Sequence, residues 1–527
     1  MSAGDSAAAG ALPRAAPAGA DRLMITISVM LATVMQVIDT TIANVALPHM
    51  QGGLSATQDQ IAWVLTSYIV AAAVMTPITG WLAGRFGRRR LLLISVVGFT
   101  IASLLCGAAQ SLVQIVLFRL LQGLCGAALV PLSQAILLDI YPQEKHGQAM
   151  ALWGVGVMLG PIFGPTLGGW LTETYSWRWV FYINLPIGVL AFLGILAFVG
   201  EHRAERSRPF DFFGFAVLSL AIGACQMMLD RGELRDWFAS GEIVTEAALA
   251  GLGLYVFIVH SATAKHPFFD PRLLRDRNFV AGILCISVVG VVLFATLALL
   301  PPLMQDLLDY PVITAGLVLA PRGIGTMISM MIVGRLMTRV DPRLLMLTGL
   351  VLTAASLYAM TGFSLAMDLW FLIWTGTSQG LGLGLVFAPL SVLAFTTLPP
   401  QLRTEAAGIF SLMRNIGASI GISVVETLLA RSIQVNHAEM AEQVQPYSAA
   451  LRALPADSLW NLHTLSGLAM LDREINRQAA MIAYIADFKF MMVVTLAIVP
   501  LLLFLRRPRR ASVTPEQLEG AVEAALD

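Results

Sequence analysis

Charge is what this chain has least of. Of 527 residues only 13% are charged, 33 basic against 33 acidic, where an average soluble domain carries roughly 25%. A net charge of zero leaves no basic face to hold a phosphate backbone, so a nucleic-acid partner is not expected. The cysteines are four, Cys106, Cys125, Cys225 and Cys285, all inside apolar runs and none in CxxC spacing. That excludes a disulfide framework and a zinc site, and leaves them as small buried hydrophobes. No GxxxxGK[ST] phosphate loop occurs, which argues against ATP drive. Neither a metal nor a cofactor is expected. A cleavable signal peptide is not expected either, because the first apolar run is full length and contains Asp39.

What is there is apolar: 57% of the chain, about 300 residues, where one membrane-spanning helix uses roughly 20. Runs of that length, bounded by Gly, Pro or charge, fall near 23–47, 61–83, 91–109, 114–136, 148–171, 180–199, 212–230, 244–264, 279–302, 314–335, 344–363, 370–393, 405–430 and 488–505. They predict fourteen spans in an all-α integral membrane protein. Residues 1–22, rich in Ala, Gly and Pro, read as a disordered lead. With the N-terminus cytoplasmic, 22 of the 33 bases fall on inside segments, and the outside loops 48–60, 110–113, 303–313 and 364–369 have none. This places both termini in the cytoplasm. The polar segment 431–487 then lies outside, with an amphipathic stretch from Leu465 to Ile485. It reads as a loop on the membrane surface or as a docking surface for a partner.

The chain also echoes itself. "GWLAGRFGRRRLL" from Gly80 returns as "GRLMTRVDPRLL" from Gly334 at an offset of 254, "QGLCGAALVPLS" from Gln122 as "QGLGLGLVFAPLS" from Gln379, and "PQEKHGQA" from Pro142 as "PQLRTEAA" from Pro400. Spans 1–6 therefore map onto spans 9–14 in the same direction. The expected organisation is a six-helix bundle over 23–200, an inserted helix pair over 201–278, a second six-helix bundle over 279–505 and a tail over 506–527. Two parallel halves around a central site form a transporter design in which one half rocks against the other.

Ionisable residues inside a bilayer cost at least about 2.5–3.5 kcal/mol on insertion scales, so each asks for a reason. Asp39 stands roughly 24 Å into span 1 and Arg119 roughly 8 Å into span 4 from the other side. Both lie in the outer part of a core about 30 Å thick, at a depth that allows a charge pair. Asp39 is then either a structural counter-ion or a proton carrier whose hold on its proton depends on whether it faces water or Arg119. Its counterpart at offset 254 is Leu293, so proton chemistry would belong to the first half alone. Arg322 and Arg414 fall near mid-depth, either paired with helix carbonyls or favouring a neutral or anionic lipophilic substrate over a cation. Together with Asn44, Gln122 and Gln379 they are the candidates to line a substrate cavity or gate. Glu426 and His260 read as interfacial. "GASIG" at 417–421 spells a nucleophile pattern around Ser419, but inside an apolar helix it lacks the strand-to-helix elbow that such chemistry needs.

These motifs resemble one family over almost all of residues 23–505: the fourteen-helix drug:proton antiporters of the major facilitator superfamily, especially the EmrB-like (EmrB/QacA-type) multidrug efflux proteins. "IDTTIANVALP" at 38–48 is similar to the first-span signature and puts Asp39 in its acidic position, and "FRLLQG" at 118–123 puts Arg119 on the arginine associated with proton coupling. "GPIFGPTLGGW" at 160–170, preceded by Gly154, resembles the antiporter motif, with Gly160, Pro161, Gly164, Pro165, Gly168 and Gly169 expected to permit close helix contact and to kink span 5. Gly80, Arg85, Gly87, Arg88 and Arg89 fit the cytoplasmic gating loop, although Gly84 stands where the superfamily usually carries an acid. "WRWVFYINLPIG" at 177–188 and "QMMLDRGELRDWF" at 226–238 narrow the likeness to EmrB-like members.

The resemblance implies a proton-coupled inner-membrane exporter of lipophilic drugs, working by alternating access and partnered by a periplasmic adaptor and an outer-membrane channel. A dedicated exporter of one metabolite, such as a fatty acid, a siderophore or an antibiotic, is the alternative. An enzyme is not expected.

Overall fold

The computed structural model describes residues 19–142, 145–200, 209–337, 339–444 and 464–505. Among the described residues fourteen helices are long and apolar enough to cross a membrane. They are α1 (Asp21–Gly53), α2 (Gln60–Phe86), α3 (Arg88–Ala108), α4 (Leu112–Ile140), α5 (His146–Thr174), α6 (Trp179–Phe198), α7 (Phe212–Arg231) and α8 (Gly241–Thr263). The second half adds α9 (Arg277–Leu307), α10 (Thr314–Leu336), α11 (Pro342–Met360), α12 (Leu369–Thr396), α13 (Arg403–Gln443) and α14 (Leu465–Phe504).

Local sequence sets many of these boundaries. Thr57 caps α2 in a reciprocal box with Gln60, Ser111 caps α4, and Asp211, Asp276 and Asp341 accept the first free N–H groups of α7, α9 and α11. Gly87 separates α2 from α3 at φ +83°, a conformation that side chains with a Cβ rarely adopt.

Three expectations change. The segment 1–22 is not all lead, since the helix containing α1 begins at Gly19; residues 1–18 lie outside the described residues. The segment 431–487 is not mainly a loop. Its first part continues α13 to Gln443, and the amphipathic stretch from Leu465 is the beginning of α14 rather than a surface-lying helix; 445–463 lie outside the described residues. Polar residues such as Asp472, Arg473 and Glu474 interrupt the apolar run without interrupting the helix, because a helix end beyond the bilayer needs no apolar surface. For the same reason Glu426 lies within a continuing helix and not near its end. The tail 506–527 is outside the described residues.

The halves touch along the α5–α10 seam, from Ala151 and Gly334 to Thr166 and Gly316, and share an apolar core at one end. Near the base-rich loops a single apolar core runs from Leu137, Met150 and Trp153 of the first half to Phe279, Met330, Phe387 and Ala406 of the second. Trp153 and Phe387 stack with ring centroids 5.7 Å apart. At the opposite end the cores are separate: Ile42, Ile61, Cys106 and Phe181 in one half, Leu299, Met304, Leu357 and Phe488 in the other. The inserted pair sits at the margin. α7 packs on α2 and α13, one helix from each half, and α8 packs on α7. Gln226 of α7 exchanges hydrogen bonds with Ser419 of α13 (2.7 and 3.1 Å), while Asp230 accepts from Thr66 of α2.

Candidate proton site and helix seams

Asp39 is fully buried, and α4 and α6 converge on it. Arg119 Nη1 donates to Asp39 Oδ2 at 2.6 Å, Gln122 Nε2 to Oδ1 at 2.8 Å and Asn184 Nδ2 to Oδ1 at 2.8 Å. Each partner is itself held. Arg119 Nε donates to the Val64 carbonyl of α2 at 3.1 Å, Nη1 also reaches Gln122 Oε1 at 2.8 Å, and the guanidinium carbon stands 4.3 Å from the centre of the Tyr68 ring. Asn184 Nδ2 also donates to Ser103 Oγ (2.9 Å), which donates to the Phe181 carbonyl (2.8 Å). Cys106 Sγ lies 3.6 Å from Gln122 Oε1, so this thiol borders the cluster.

A buried ion pair of this kind is tolerable because Gln122, Asn184 and the Val64 carbonyl hydrogen-bond to its two charged groups. Removing the charge from the carboxylate cancels its attraction for the guanidinium while leaving the Gln122 and Asn184 contacts to a neutral oxygen. The cluster is a buried carboxylate on α1 held by a guanidinium and an amide from α4 and an amide from α6. Among the described residues no group of three or more His, Cys, Asp or Glu could hold a metal ion.

The glycine-rich span α5 lies between α1 and α10. A Cβ built on Gly160 would lie 2.6 Å from the Val37 carbonyl oxygen, and one on Gly164 2.7 Å from Thr41 Cβ; Gly168 meets Ile42 at 2.9 Å. Thr41 Oγ1 donates to the Gly160 carbonyl at 3.0 Å. Gly154 faces Met330 of α10 instead, and Gly169 faces open space. α5 is one uninterrupted helix that includes Pro161; the Pro165 side chain is outside those described.

At the base-rich end Asp139 of α4 pairs with Arg88, and at 3.4 Å with Arg403 of the second half. Gly80 lets α2 meet the backbone of Glu405, whose Cα would be 2.7 Å from an added Cβ. Arg89 Nη2 donates to the Leu196 carbonyl at 2.6 Å. Arg85 lies in the last turn of α2, at this same end.

The other sequence candidates are not brought to Asp39. Asn44 is exposed on α1, beyond the turn that carries the carboxylate. Arg322 and Gln379 are buried in the second half: Arg322 Nη2 donates to the Leu293 carbonyl at 3.1 Å and Gln379 Nε2 to Thr296 Oγ1 at 3.0 Å. Arg414 is half-buried, with Nη2 at 3.5 Å from Asn415 Oδ1. His260 pairs with Asp211 at 3.0 Å near the ends of α8 and α7. Ser419 lies within α13, where Gly417 and Gly421 abut the α9 backbone at Ser287 and Val291, so "GASIG" is a helix seam.

Sequence reasoning missed Asn184, Tyr68, Ser103 and Asp139. A polar residue in an otherwise apolar span, as Asn184 is, was the available signal. It missed Asp487 as well, buried at 1% exposure on α14 with Oδ2 lacking a hydrogen-bond partner among the described residues; the loop reading of 431–487 hid it.

The Major Facilitator Superfamily profile matches residues 29–422. The chain is 40% identical to the fatty acid resistance protein FarB of Neisseria gonorrhoeae over 83% of this chain and 87% of that protein. It is 38% identical to the multidrug export protein EmrB of Escherichia coli (strain K12) over 86% and 88%. Among solved structures, the human organic anion transporter MFSD10 (TETRAN) superposes with a TM-score of 0.59 at 14% identity, covering 91% of this chain and 99% of that one. The proton:xylose symporter XylE gives 0.58 at 13% identity, covering 91% and 96%. These two likenesses concern the fold alone.

Proposed function

Starting from a chain that belongs to the major facilitator superfamily as an EmrB-like transporter, we propose that it is a proton-coupled efflux antiporter of the inner membrane for lipophilic compounds, neutral or weakly acidic. The observation that carries this reading is the Asp39 carboxylate, fully buried and held by Arg119, Gln122 and Asn184. The shared core at the base-rich end and the divided cores at the other support a state sealed toward the cytoplasm, with both termini on that side. In this scheme a proton from outside neutralises Asp39, frees Arg119 and lets α1, α4 and α6 shift, so that the halves rock and the outer side closes. Release of the proton inward resets the pair.

The energetics are adequate. A proton entering through 100 mV gains about 2.3 kcal/mol, and each pH unit adds about 1.4 kcal/mol. Exchange of a neutral compound for one proton uses both terms. Export of toxic compounds agrees with EmrB being a multidrug export protein; FarB, a fatty acid resistance protein, supports the alternative of a dedicated fatty-acid exporter. The extension of α13 and α14 beyond the apolar core offers a periplasmic adaptor of a tripartite pump a place to dock. Substrate-induced proton release from purified protein tests the assignment. Release is expected from the unaltered chain and not from Asp39→Asn; equal release from both would overturn it.

A further inference from the structure

The repeat gives the second half a site built from the same places but with inverted charge. In the first half, Gly123 of α4 allows the Tyr68 carbonyl of α2 to approach; in the second, Gly380 of α12 allows the Arg322 carbonyl of α10 to approach in the same way. Arg322 therefore occupies the place of Tyr68, Gln379 that of Gln122, Gly376 that of Arg119 and Leu293 that of Asp39. Where the first half carries an acid the second carries Leu293, and its arginine stands on a neighbouring helix.

That guanidinium is only partly satisfied. Arg322 is 4% exposed; Nη2 reaches the Leu293 carbonyl, while Nε and Nη1 are buried with no partner among the described residues. Gln379, fully buried, gives its Nε2 to Thr296 and leaves Oε1 without a partner. Arg414 adds a second cation whose Nε is also unpartnered. Among the described residues no carboxylate lies within ion-pair distance of either arginine. A buried cation without a counter-charge is costly inside a bilayer, and a guanidinium is the side chain best suited to a carboxylate.

We propose that Arg322 and Gln379 form a head-group site for lipophilic carboxylates, with the acid accepting from Arg322 and a neighbouring hydroxyl or amide N–H of the same compound donating to Gln379 Oε1. This rests on the export reading above and assigns its substrates to the second half, apart from the proton at Asp39. The site selects by charge, so a lipophilic acid is held more tightly than its uncharged counterpart of the same shape.

Binding of 3-hydroxy-2-naphthoate and of its uncharged primary amide, measured on full-length protein in nanodiscs of uncharged lipid, tests it. The unaltered protein is expected to prefer the acid by roughly tenfold or more, the range of a hydrogen bond to a charged group. Arg322→Gln should lose that preference while keeping amide affinity within about twofold, and Arg322→Lys should retain part of it. Equal affinity of the unaltered protein for the two probes overturns the proposal whether or not any variant folds. So does a parallel loss of both probes in an Arg322→Gln protein that elutes and melts like the parent. Proton release is read separately: its absence sinks the export reading and leaves the acid preference standing.

Discussion

Arg119 stands 4.3 Å from the centre of the Tyr68 ring, and the residue 254 positions after Tyr68 is Arg322. The same helix position supplies the cushion under a cation in one half and the cation itself in the other. Charge in this membrane domain is thus allocated by half, and several outcomes depend on that allocation.

Replacing Asp39 by Asn keeps the shape and the hydrogen bonds from Gln122 and Asn184 but removes the charge opposite Arg119. In proteoliposomes with an imposed pH gradient, Asp39→Asn should lose proton-driven transport while still eluting as a folded protein. Undiminished transport would remove Asp39 from the coupling mechanism.

Arg119→Leu leaves the Asp39 carboxylate buried and unpaired. Breaking a buried pair on one side costs about 3–5 kcal/mol, whereas an apolar replacement of both members is often neutral. The double variant Asp39→Leu/Arg119→Leu should therefore melt above Arg119→Leu in detergent, without regaining transport. A double variant less stable than the single one would contradict the pairing.

The glycines of α5 divide by what they face. Gly160→Ala forces a methyl against the Val37 carbonyl and should cost about 1–3 kcal/mol as overpacking, whereas Gly169→Ala enters open space and should lie within about 0.5 kcal/mol of the parent. Thermal unfolding of the two variants side by side reads the difference, and equal melting would mean that the α1–α5 seam is looser than described.

At the base-rich end an added Cβ on Gly334 would lie 2.9 Å from Ala151 Cβ, just short of the usual span of a disulfide. An Ala151→Cys/Gly334→Cys pair should cross-link under mild oxidation, stop transport and release it on reduction. Full transport by the cross-linked protein would show that this end need not open.

The span positions were legible because an apolar run about 20 residues long has few other uses, and Asp39 and Arg119 because charge inside such a run is rare. Asn184 and Ser103 were not, since their importance comes from α3 and α6 meeting α1, a contact that spacing along the chain does not specify. The start of α14 was concealed by its own polar residues, and Asp487 with it. The role of α7 was equally hidden: Gln226 and Asp230 look like ordinary polar residues until α2 and α13 are found on either side of them. Arg322 lay between these cases, visible as a charge and yet informative only once the Gly380 contact identified it with Tyr68.

α13 is 41 residues long, about 60 Å at 1.5 Å per residue, twice the depth of the apolar core. Gly421 is fixed against α9 near the middle of that rod, and Gln443 ends it roughly 33 Å further on. A rigid rotation of the second half by about 15°, a size known from subunit rearrangements, would carry that tip through some 9 Å. In the proposed cycle the helix would be a lever: a step inside the bilayer would become a displacement outside it, readable by anything that rests on its end.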